Sequence, residues 1–276
     1  MNSMIPTDEA FRLPDWTDER AYDYTARLAR REWAWEFLRR NRDFRSAWRN
    51  AQLEYGLAGY DAGTTIVLSQ HERPALEAWG LLYSTAPDQD AFMASVFWSP
   101  EIYSGVLRLT AFPLSAQIDA TPFLLRDISC GSVFLEIPNA PQNLLFSDHG
   151  RGLQLVVEGA DMLRPVRLMA NSAPDVSLAS AQLRALHCFN DLRLTGRLNV
   201  SSLQRDPLTP RLRHVLRVLD GSLSGASFQE IARAVSPDDY STEGWHGRAG
   251  GMRDRIRRAL RRGCHLMNGG YRSLLS

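Results

Sequence analysis

The sequence contains no lysine, so all 32 of its basic side chains are arginine. It has only three cysteines, Cys130, Cys188 and Cys264, which lie far apart and form no Cys-x-x-Cys pair. Such spacing favours neither a disulfide framework nor a structural zinc site. We therefore interpret the cysteines as reduced packing residues and expect no bound metal.

Long apolar runs are also missing. No stretch reaches the roughly 18 apolar residues that a membrane-spanning helix needs. The first six residues, Met1 to Pro6, have neither the basic start nor the apolar segment of a secretion signal. These two absences predict a cytoplasmic protein without a membrane partner.

Motifs for nucleotide binding and for catalysis are absent or incomplete. Neither G-x-x-x-x-G-K-[ST] nor G-x-G-x-x-G occurs between a strand and a helix, so no cofactor is expected. Ser147-Asp148-His149 has the residue types of a hydrolase triad, but neighbours on one turn cannot form the hydrogen-bonded relay. Zinc binding by His187-Cys188 and Cys264-His265 is disfavoured, because adjacent helical residues diverge by about 100°. An enzyme built on the middle of the chain is the weakest alternative, since no acid, base and nucleophile converge.

Charge is divided unevenly along the chain. Residues 181–276 carry 16 arginines against 8 acidic residues, which gives +8, and residues 1–180 carry 16 against 23, which gives −7. The net charge of +1 therefore hides a basic end on an acidic body. This asymmetry indicates that the basic end binds a polyanion.

The first segment, residues 1–60, has aromatic residues at three- and four-residue steps, which predicts a helical module. Asn41-Arg42-Asp43 marks a break between helices, and we expect Asp43 to cap the second one. Arginines border this aromatic patch, which favours an interface with another domain or a partner protein. The candidate interface residues are Trp33, Trp35, Phe37, Phe44 and Trp48.

The middle segment, residues 61–178, has short apolar runs between Pro and Gly residues, which predicts a small, mainly antiparallel sheet. The turn 148–152 is expected to join two of its strands, and a helix is expected around Ala86–Trp98. With helical segments on both sides of the sheet, the predicted fold class is α+β. The expected strands are Gly105–Phe112, Ser132–Ile137, Asn143–Phe146, Leu153–Val157 and Val166–Met169.

The last segment, residues 179–276, returns to helical spacing. Leu183, Leu186, Phe189 and Leu192 recur at three-residue steps and predict one apolar helix face. In the next helix, we expect Thr209 to be the cap and Pro210 the first helical residue, with an apolar stripe that ends at Asp220-Gly221.

Ser227 and Glu230 have the spacing of a capping box for a short helix that ends at Ser236-Pro237. The connection that follows is longer than the three or four residues usual in a helix-turn-helix unit. We therefore predict an extended turn before the next helix.

That next helix is expected to begin between Gly244 and Gly251 and to run to Arg262, with Met252, Ile256, Ala259 and Leu260 on one apolar face. Between residues 245 and 263, seven arginines accompany one acid, Asp254, which gives a local charge of +6. A solvated helix face is the simplest alternative, but solvated faces normally mix both signs. We therefore predict contacts with the phosphates and guanine edges of double-stranded DNA. The candidate contact residues are Arg248, Arg253, Arg255, Arg257, Arg258, Arg261 and Arg262.

Two segments resemble known domains. Residues 245–275, with Leu260-Arg261-Arg262-Gly263 and Gly269-Gly270-Tyr271-Arg272-Ser273-Leu274-Leu275, resemble a proteobacterial domain formerly of unknown function and since described as an extended-turn helix-turn-helix. Residues 35–45, Trp-Glu-Phe-Leu-Arg-Arg-Asn-Arg-Asp-Phe-Arg, are similar to the domain found with it in FseA-type activators of conjugative-element transfer. The two matches cover roughly 15–58 and 180–276.

The resemblance implies a C-terminal domain that binds promoter DNA with one face and the N-terminal domain with the other. It also implies a small acidic antiactivator that competes for the N-terminal domain, and RNA polymerase is a further candidate partner. We therefore expect a DNA-binding transcriptional activator that is not an enzyme. The main alternative is a regulator of the antiactivator type that sequesters another protein and does not bind DNA.

Overall fold

The computed structural model of the chain describes residues 11–50, 56–59, 65–69, 74–83, 85–114, 122–148, 151–171, 179–198, 207–237 and 250–276. The contacts between residues divide the chain into two compact units. We call residues 1–45, 86–92 and 205–274 the helical unit, and residues 46–85, 93–204 and 275–276 the sheet unit. The division into segments 1–60, 61–178 and 179–276 stays a prediction.

In the sheet unit, the described residues form seven strands in the order β1-β2-β4-β5-β6-β3-β7. The β2/β4 and β3/β6 pairs are parallel, and the other four neighbouring pairs are antiparallel. Five contiguous strands, β4-β5-β6-β3-β7, thus form a mixed, mostly antiparallel sheet, and the predicted α+β class is confirmed. The strands are β1 (Gly56–Gly59), β2 (Thr65–Ser69), β3 (Leu107–Pro113), β4 (Gly131–Glu136), β5 (Gln142–Asp148), β6 (Arg151–Gly159) and β7 (Val166–Ala170).

Both faces of the middle strands are buried, which explains why their sequences are nearly continuous apolar runs. On β4, Val133 and Leu135 pack with Phe97 on one face, whereas Phe134 packs in the larger core on the other. All five strands predicted in the middle segment are present. The turn expected between β5 and β6 includes residues 149–150, which lie outside the described residues, although Asp148 and Arg151 pair across it.

Helix α4 (Ala179–Thr195) packs on β3 and β6. Its buried face is formed by Ala185, Cys188, Phe189 and Leu192, whereas the predicted members Leu183 and Leu186 are exposed. The three-residue series was wrong at these two leucines, because the stripe that meets the sheet follows a three- and four-residue alternation. The expected packing role of the cysteine agrees with its burial, which raises the pKa of Cys188 to about 11.

The helix expected around Ala86–Trp98 does not form. Instead, residues 86–92 follow an irregular path whose backbone groups bond to side chains of the helical unit. The Trp35 indole donates to the Gln89 carbonyl at 3.0 Å, the Arg39 guanidinium donates to the Pro87 carbonyl at 3.3 Å, and Ala91 N–H donates to the Glu36 carboxylate at 2.7 Å. These bonds replace the helical ladder, so tertiary contacts override the local pattern.

The helical unit contains most of the remaining helices. These are the 3-10 helix Glu19–Arg27, α1 (Arg30–Leu38), α2 (Arg42–Asn50, which runs across the division), α5 (Thr209–Leu223), α6 (Phe228–Val235), α7 (Gly250–Met267) and the 3-10 helix Gly270–Leu274; the short α3 (Pro74–Glu77) belongs to the sheet unit. Helix α5 packs against α6, α7 and the 3-10 helix Glu19–Arg27, and α1 packs against α7 and the 3-10 helix Gly270–Leu274.

Three helix boundaries differ from the predictions. Asn41, and not Asp43, caps α2, since its side-chain oxygen accepts from the N–H groups of Asp43 and Phe44. Thr209 is the first residue of α5 and makes no capping bond. Helix α5 also continues through Asp220 to Leu223, where Gly225 (φ 82°) ends it in a left-handed turn that suits glycine.

A buried ion-pair cluster joins α1 to α5 inside the helical unit. Arg40 binds Asp220 with two nitrogens, Nε at 2.5 Å and Nη2 at 2.7 Å, and its third nitrogen donates to the Glu36 carboxylate at 2.7 Å. Arg39 donates to the same carboxylate at 2.8 Å, and the Tyr22 hydroxyl donates to Asp220 at 2.6 Å. The cluster thus has two positive and two negative charges and extensive hydrogen bonding, as buried charges require.

The cluster shifts the protonation of its members. Burial by itself raises the pKa of Glu36, but the charges of Arg39 and Arg40 and their hydrogen bonds outweigh it and lower that pKa to about 2. Burial, together with the neighbouring Asp220 charge, raises the pKa of the Tyr22 hydroxyl. Both shifts favour a cluster that stays charged and fully bonded near neutral pH.

We expect Asp220→Asn to lower the free energy of unfolding by about 3–5 kcal/mol, because it leaves the buried Arg40 without its counter-charge. Urea unfolding of the full chain measures this change. The control Asp88→Asn alters an exposed carboxylate and should cost less than about 0.5 kcal/mol. Equal effects of the two substitutions would contradict the role of the cluster.

The Glu36 carboxylate should make stability depend on pH in the acid range. A folded pKa of about 2, below the ordinary value of 4.5, stabilises the protein fully above about pH 4.5, and the gain disappears as pH falls to about 2. It amounts to about 3 kcal/mol. The stability difference between the unchanged protein and Glu36→Gln, measured by urea unfolding from pH 6 to pH 2.5, should therefore shrink as pH falls. A difference independent of pH would contradict this account.

Candidate nucleic-acid interface

The arginine-rich segment forms helix α7, and one face of that helix is buried. Met252, Ile256, Ala259, Gly263 and Leu266 lie on this face, at the three- and four-residue spacing of an amphipathic helix. The predicted apolar face is therefore present, with Leu260 only half-buried at its border. Burial of this stripe determines which side of α7 remains exposed.

Gly263 lies where α7 crosses α5. A Cβ atom at this position would come within 3.1 Å of the Leu219 Cβ atom and 3.4 Å of the Val215 carbonyl oxygen. The glycine therefore allows close approach of the two helices. Helix α7 does not end at Arg262, as the sequence predicted, but continues through this glycine to Met267.

The predicted contact arginines are mostly on the exposed side of α7. Arg253, Arg255, Arg257, Arg258 and Arg261 are exposed, and Arg262 is half-buried. At about 100° per residue, Arg257, Arg258 and Arg261 lie within about 100° of one another, opposite the buried stripe. Arg248 was also predicted to contact DNA, and it lies outside the described residues.

Three arginines of this surface have no carboxylate partner among the described residues. Within α7, the one acidic residue is Asp254, whose carboxylate accepts from Arg257 Nη2 at 2.7 Å. Across the described part of the chain, Arg253, Arg258 and Arg261 have no carboxylate within 4.0 Å. Like charges one helical turn apart repel each other, so an approaching polyanion would relieve this repulsion.

The electrostatic effect of this surface extends to α5. His214 is half-buried, and burial lowers its pKa, as do the charges of Arg217 and Arg255. Burial is the largest cause of this shift, and the two positive charges add to it.

Helix α6 precedes the arginine helix, as a helix-turn-helix unit requires. Its predicted capping box is confirmed: the Ser227 hydroxyl accepts from the Glu230 N–H at 3.3 Å, and the Glu230 carboxylate accepts from the Ser227 N–H at 2.8 Å. The extended turn predicted before α7 falls mostly on residues 238–249, which lie outside the described residues.

Four of the five predicted aromatic interface residues lie in the interior. Trp33, Trp35, Phe37 and Phe44 are fully buried, and Trp48 is half-buried. Trp35 meets Phe44 edge-on at a ring-centroid distance of 5.7 Å. In this structure the first four residues therefore contribute to the core of the helical unit and do not form an exposed patch.

Sequence reasoning missed the polar residues that join α1 to α5. Asp220 lies four residues after Leu216, on the apolar stripe, and Glu36 lies between aromatic residues of α1. An acid at an apolar position is a signal for a buried ion pair, although the pattern alone does not identify its partner. Arg217 was also missed; it is buried, and it donates to the carbonyl oxygens of Trp16 and Ala234.

The described residues contain no group of three or more His, Cys, Asp and Glu side chains placed to hold a metal ion. Among the described helices, none is both long and apolar enough to span a bilayer.

Two segments of the chain match known protein families. Residues 172–276 match the family described as "T6SS, Transcription factor, DNA binding domain". Residues 15–84 match the family described as "Proteobacterial transcriptional regulator-like domain". A search of curated proteins found no match. The C-terminal match covers α5, α6 and α7. Transcription factor domains belong to regulators and not to enzymes.

We expect Gly263→Leu to destabilise the protein by about 1–3 kcal/mol, because the larger side chain would separate α7 from α5. Thermal unfolding followed by circular dichroism measures this effect. Gly251→Leu is the matched control, since a Cβ atom at Gly251 meets nothing within 4 Å. Equal losses at the two glycines would contradict the close crossing of the helices.

Proposed function

We propose that this chain, which combines a proteobacterial transcriptional regulator-like domain with a C-terminal transcription-factor DNA-binding domain, is a transcriptional activator that binds promoter DNA through α7. The observation that carries the proposal is the row of exposed arginines on α7, of which Arg253, Arg258 and Arg261 have no carboxylate partner among the described residues. Such a surface would neutralise phosphates and release counterions.

The contact residues we propose are the exposed arginines of α7, with Arg262 at their edge and Arg248 ahead of the helix. Phosphate contacts would position the protein, and a smaller number of contacts to guanine edges would supply specificity. The opposite face of α7 packs on α5, and the ion-pair cluster holds α5 to α1. The N-terminal helices would thereby support the helix that binds DNA.

The target genes belong to the proposal. The resemblance of residues 35–45 and 245–275 to FseA-type activators favours genes for excision or transfer of an integrative and conjugative element. The family description of the C-terminal match names T6SS instead. Footprinting of the purified protein on promoters of both classes would discriminate between these targets.

We also propose that the protein acts in the cytoplasm, with RNA polymerase and a small acidic antiactivator as protein partners. The buried aromatic residues of α1 and α2 then have a structural role, and a partner could reach them only if the helical unit opened. The alternative, a regulator that sequesters a protein without binding DNA, would leave the arginines of α7 without a ligand.

We expect the double substitution Arg257→Glu with Arg261→Glu to abolish binding to upstream DNA in a gel shift. The circular dichroism spectrum should not change, because both side chains are exposed. The matched control, Arg12→Glu with Arg20→Glu, makes the same charge change at exposed positions outside α7 and should retain binding.

Salt dependence provides the second readout. Each lost phosphate contact should reduce the slope of log K against log salt by about 0.9. Full binding by the α7 variant would overturn the DNA-contact assignment. If the unchanged protein also fails to bind DNA at low salt, the sequestering regulator becomes the better explanation.

A further inference from the structure

The single acidic residue of α7 lies in the middle of its arginine surface. At about 100° per residue, Asp254 lies between Arg257 and Arg258 around the exposed side of the helix. A carboxylate at this place repels the phosphates that the arginines would attract, so it lowers affinity for every DNA sequence alike. The presence of Asp254 therefore needs an explanation other than affinity for DNA.

Helix stability does not supply that reason. Arg257 and Asp254 form an ion pair of 2.7 Å, but their side chains remain 60% and 44% exposed. Exposed pairs of this kind contribute about 0–1 kcal/mol in water. What the pair does provide is a preferred orientation, because the bond to Asp254 favours one placement of the planar guanidinium of Arg257.

The geometry of the bond leaves Arg257 able to make a second, directed contact. Only Nη2 donates to Asp254. A guanidinium has five N–H donors in a fixed plane, so an edge with two donors remains available. Two parallel N–H groups match the O6 and N7 acceptors of guanine in the major groove, the commonest specific contact of arginine.

The neighbouring arginines differ in this respect. Arg253, Arg258 and Arg261 have no ion pair in the described part of the chain, so their long side chains can follow the phosphates of any sequence. From this contrast we infer that Arg257, oriented by Asp254, determines specificity by reading a guanine, whereas Arg253, Arg258 and Arg261 bind phosphates. The inference rests on the proposed function of α7.

Selection from a randomised double-stranded DNA library with the full chain tests the inference and does not require an identified operator. The unchanged protein should enrich a motif that contains a guanine. Arg257→Ala should lose the preference at that guanine, with discrimination reduced roughly 5- to 150-fold, the range of one bidentate contact. Arg258→Ala should bind more weakly but select the same motif.

Asp254→Ala should change non-specific affinity and sequence specificity in opposite directions. Without the repelling carboxylate, affinity for unrelated DNA should rise, whereas the ratio of specific to non-specific affinity should fall. Asp88→Ala, the same charge change at an exposed residue outside α7, should alter neither quantity by more than about twofold.

The outcomes separate this inference from the function on which it rests. If Arg257→Ala and Arg258→Ala select the same motif, or if Asp254→Ala leaves the affinity ratio unchanged, the assignment of Arg257 is wrong although α7 binds DNA. If the unchanged protein enriches no sequence and shows no salt-dependent binding, the proposed function itself fails.

Discussion

The bidentate ion pair between Arg40 and Asp220 is the interaction on which the helical unit depends. It joins Arg40, two residues after the end of α1, to α5, with both side chains fully buried and with Glu36, Arg39 and Tyr22 completing the hydrogen bonds. Two unlike charges removed from water are tolerable only when both are fully paired. The cluster therefore specifies one arrangement of the N-terminal helices against α5, which apolar packing alone would specify less strictly.

Helix α7 depends on that arrangement indirectly, through its contact with α5. Its buried stripe packs on α5, and Gly263 allows the two helices to approach closely. Because this stripe is buried, the arginines of α7 must lie on the opposite side, where they share an exposed surface. The charge of the surface comes from the sequence of α7 itself. Its orientation results from the packing of α7 against α5.

The parts of the fold that local pattern determines were predicted well. The five strands of the middle segment, the capping box of Ser227 and Glu230, and the amphipathic α7 all follow from side-chain periodicity or short-range hydrogen bonding. The errors occur where side chains distant in the sequence bond to groups that the local pattern would use. Residues 86–98 do not form a helix because part of the backbone there bonds to Trp35, Arg39 and Glu36. Asp220 does not end α5 but lies inside it, where its carboxylate pairs with Arg40.

By itself, the sequence determined the unequal division of charge, the arginine-rich helix and the α+β class, because composition and periodicity are local properties that do not need a partner. Only the tertiary structure showed that Asp220 and Glu36 pair with arginines, that Trp33 and Trp35 are buried, and which arginines of α7 stay exposed. These facts depend on contacts between residues far apart in the sequence, such as Arg40 and Asp220, which are 180 positions apart. No local pattern records which distant side chain will neutralise a buried charge, since that choice is made when the helices pack together.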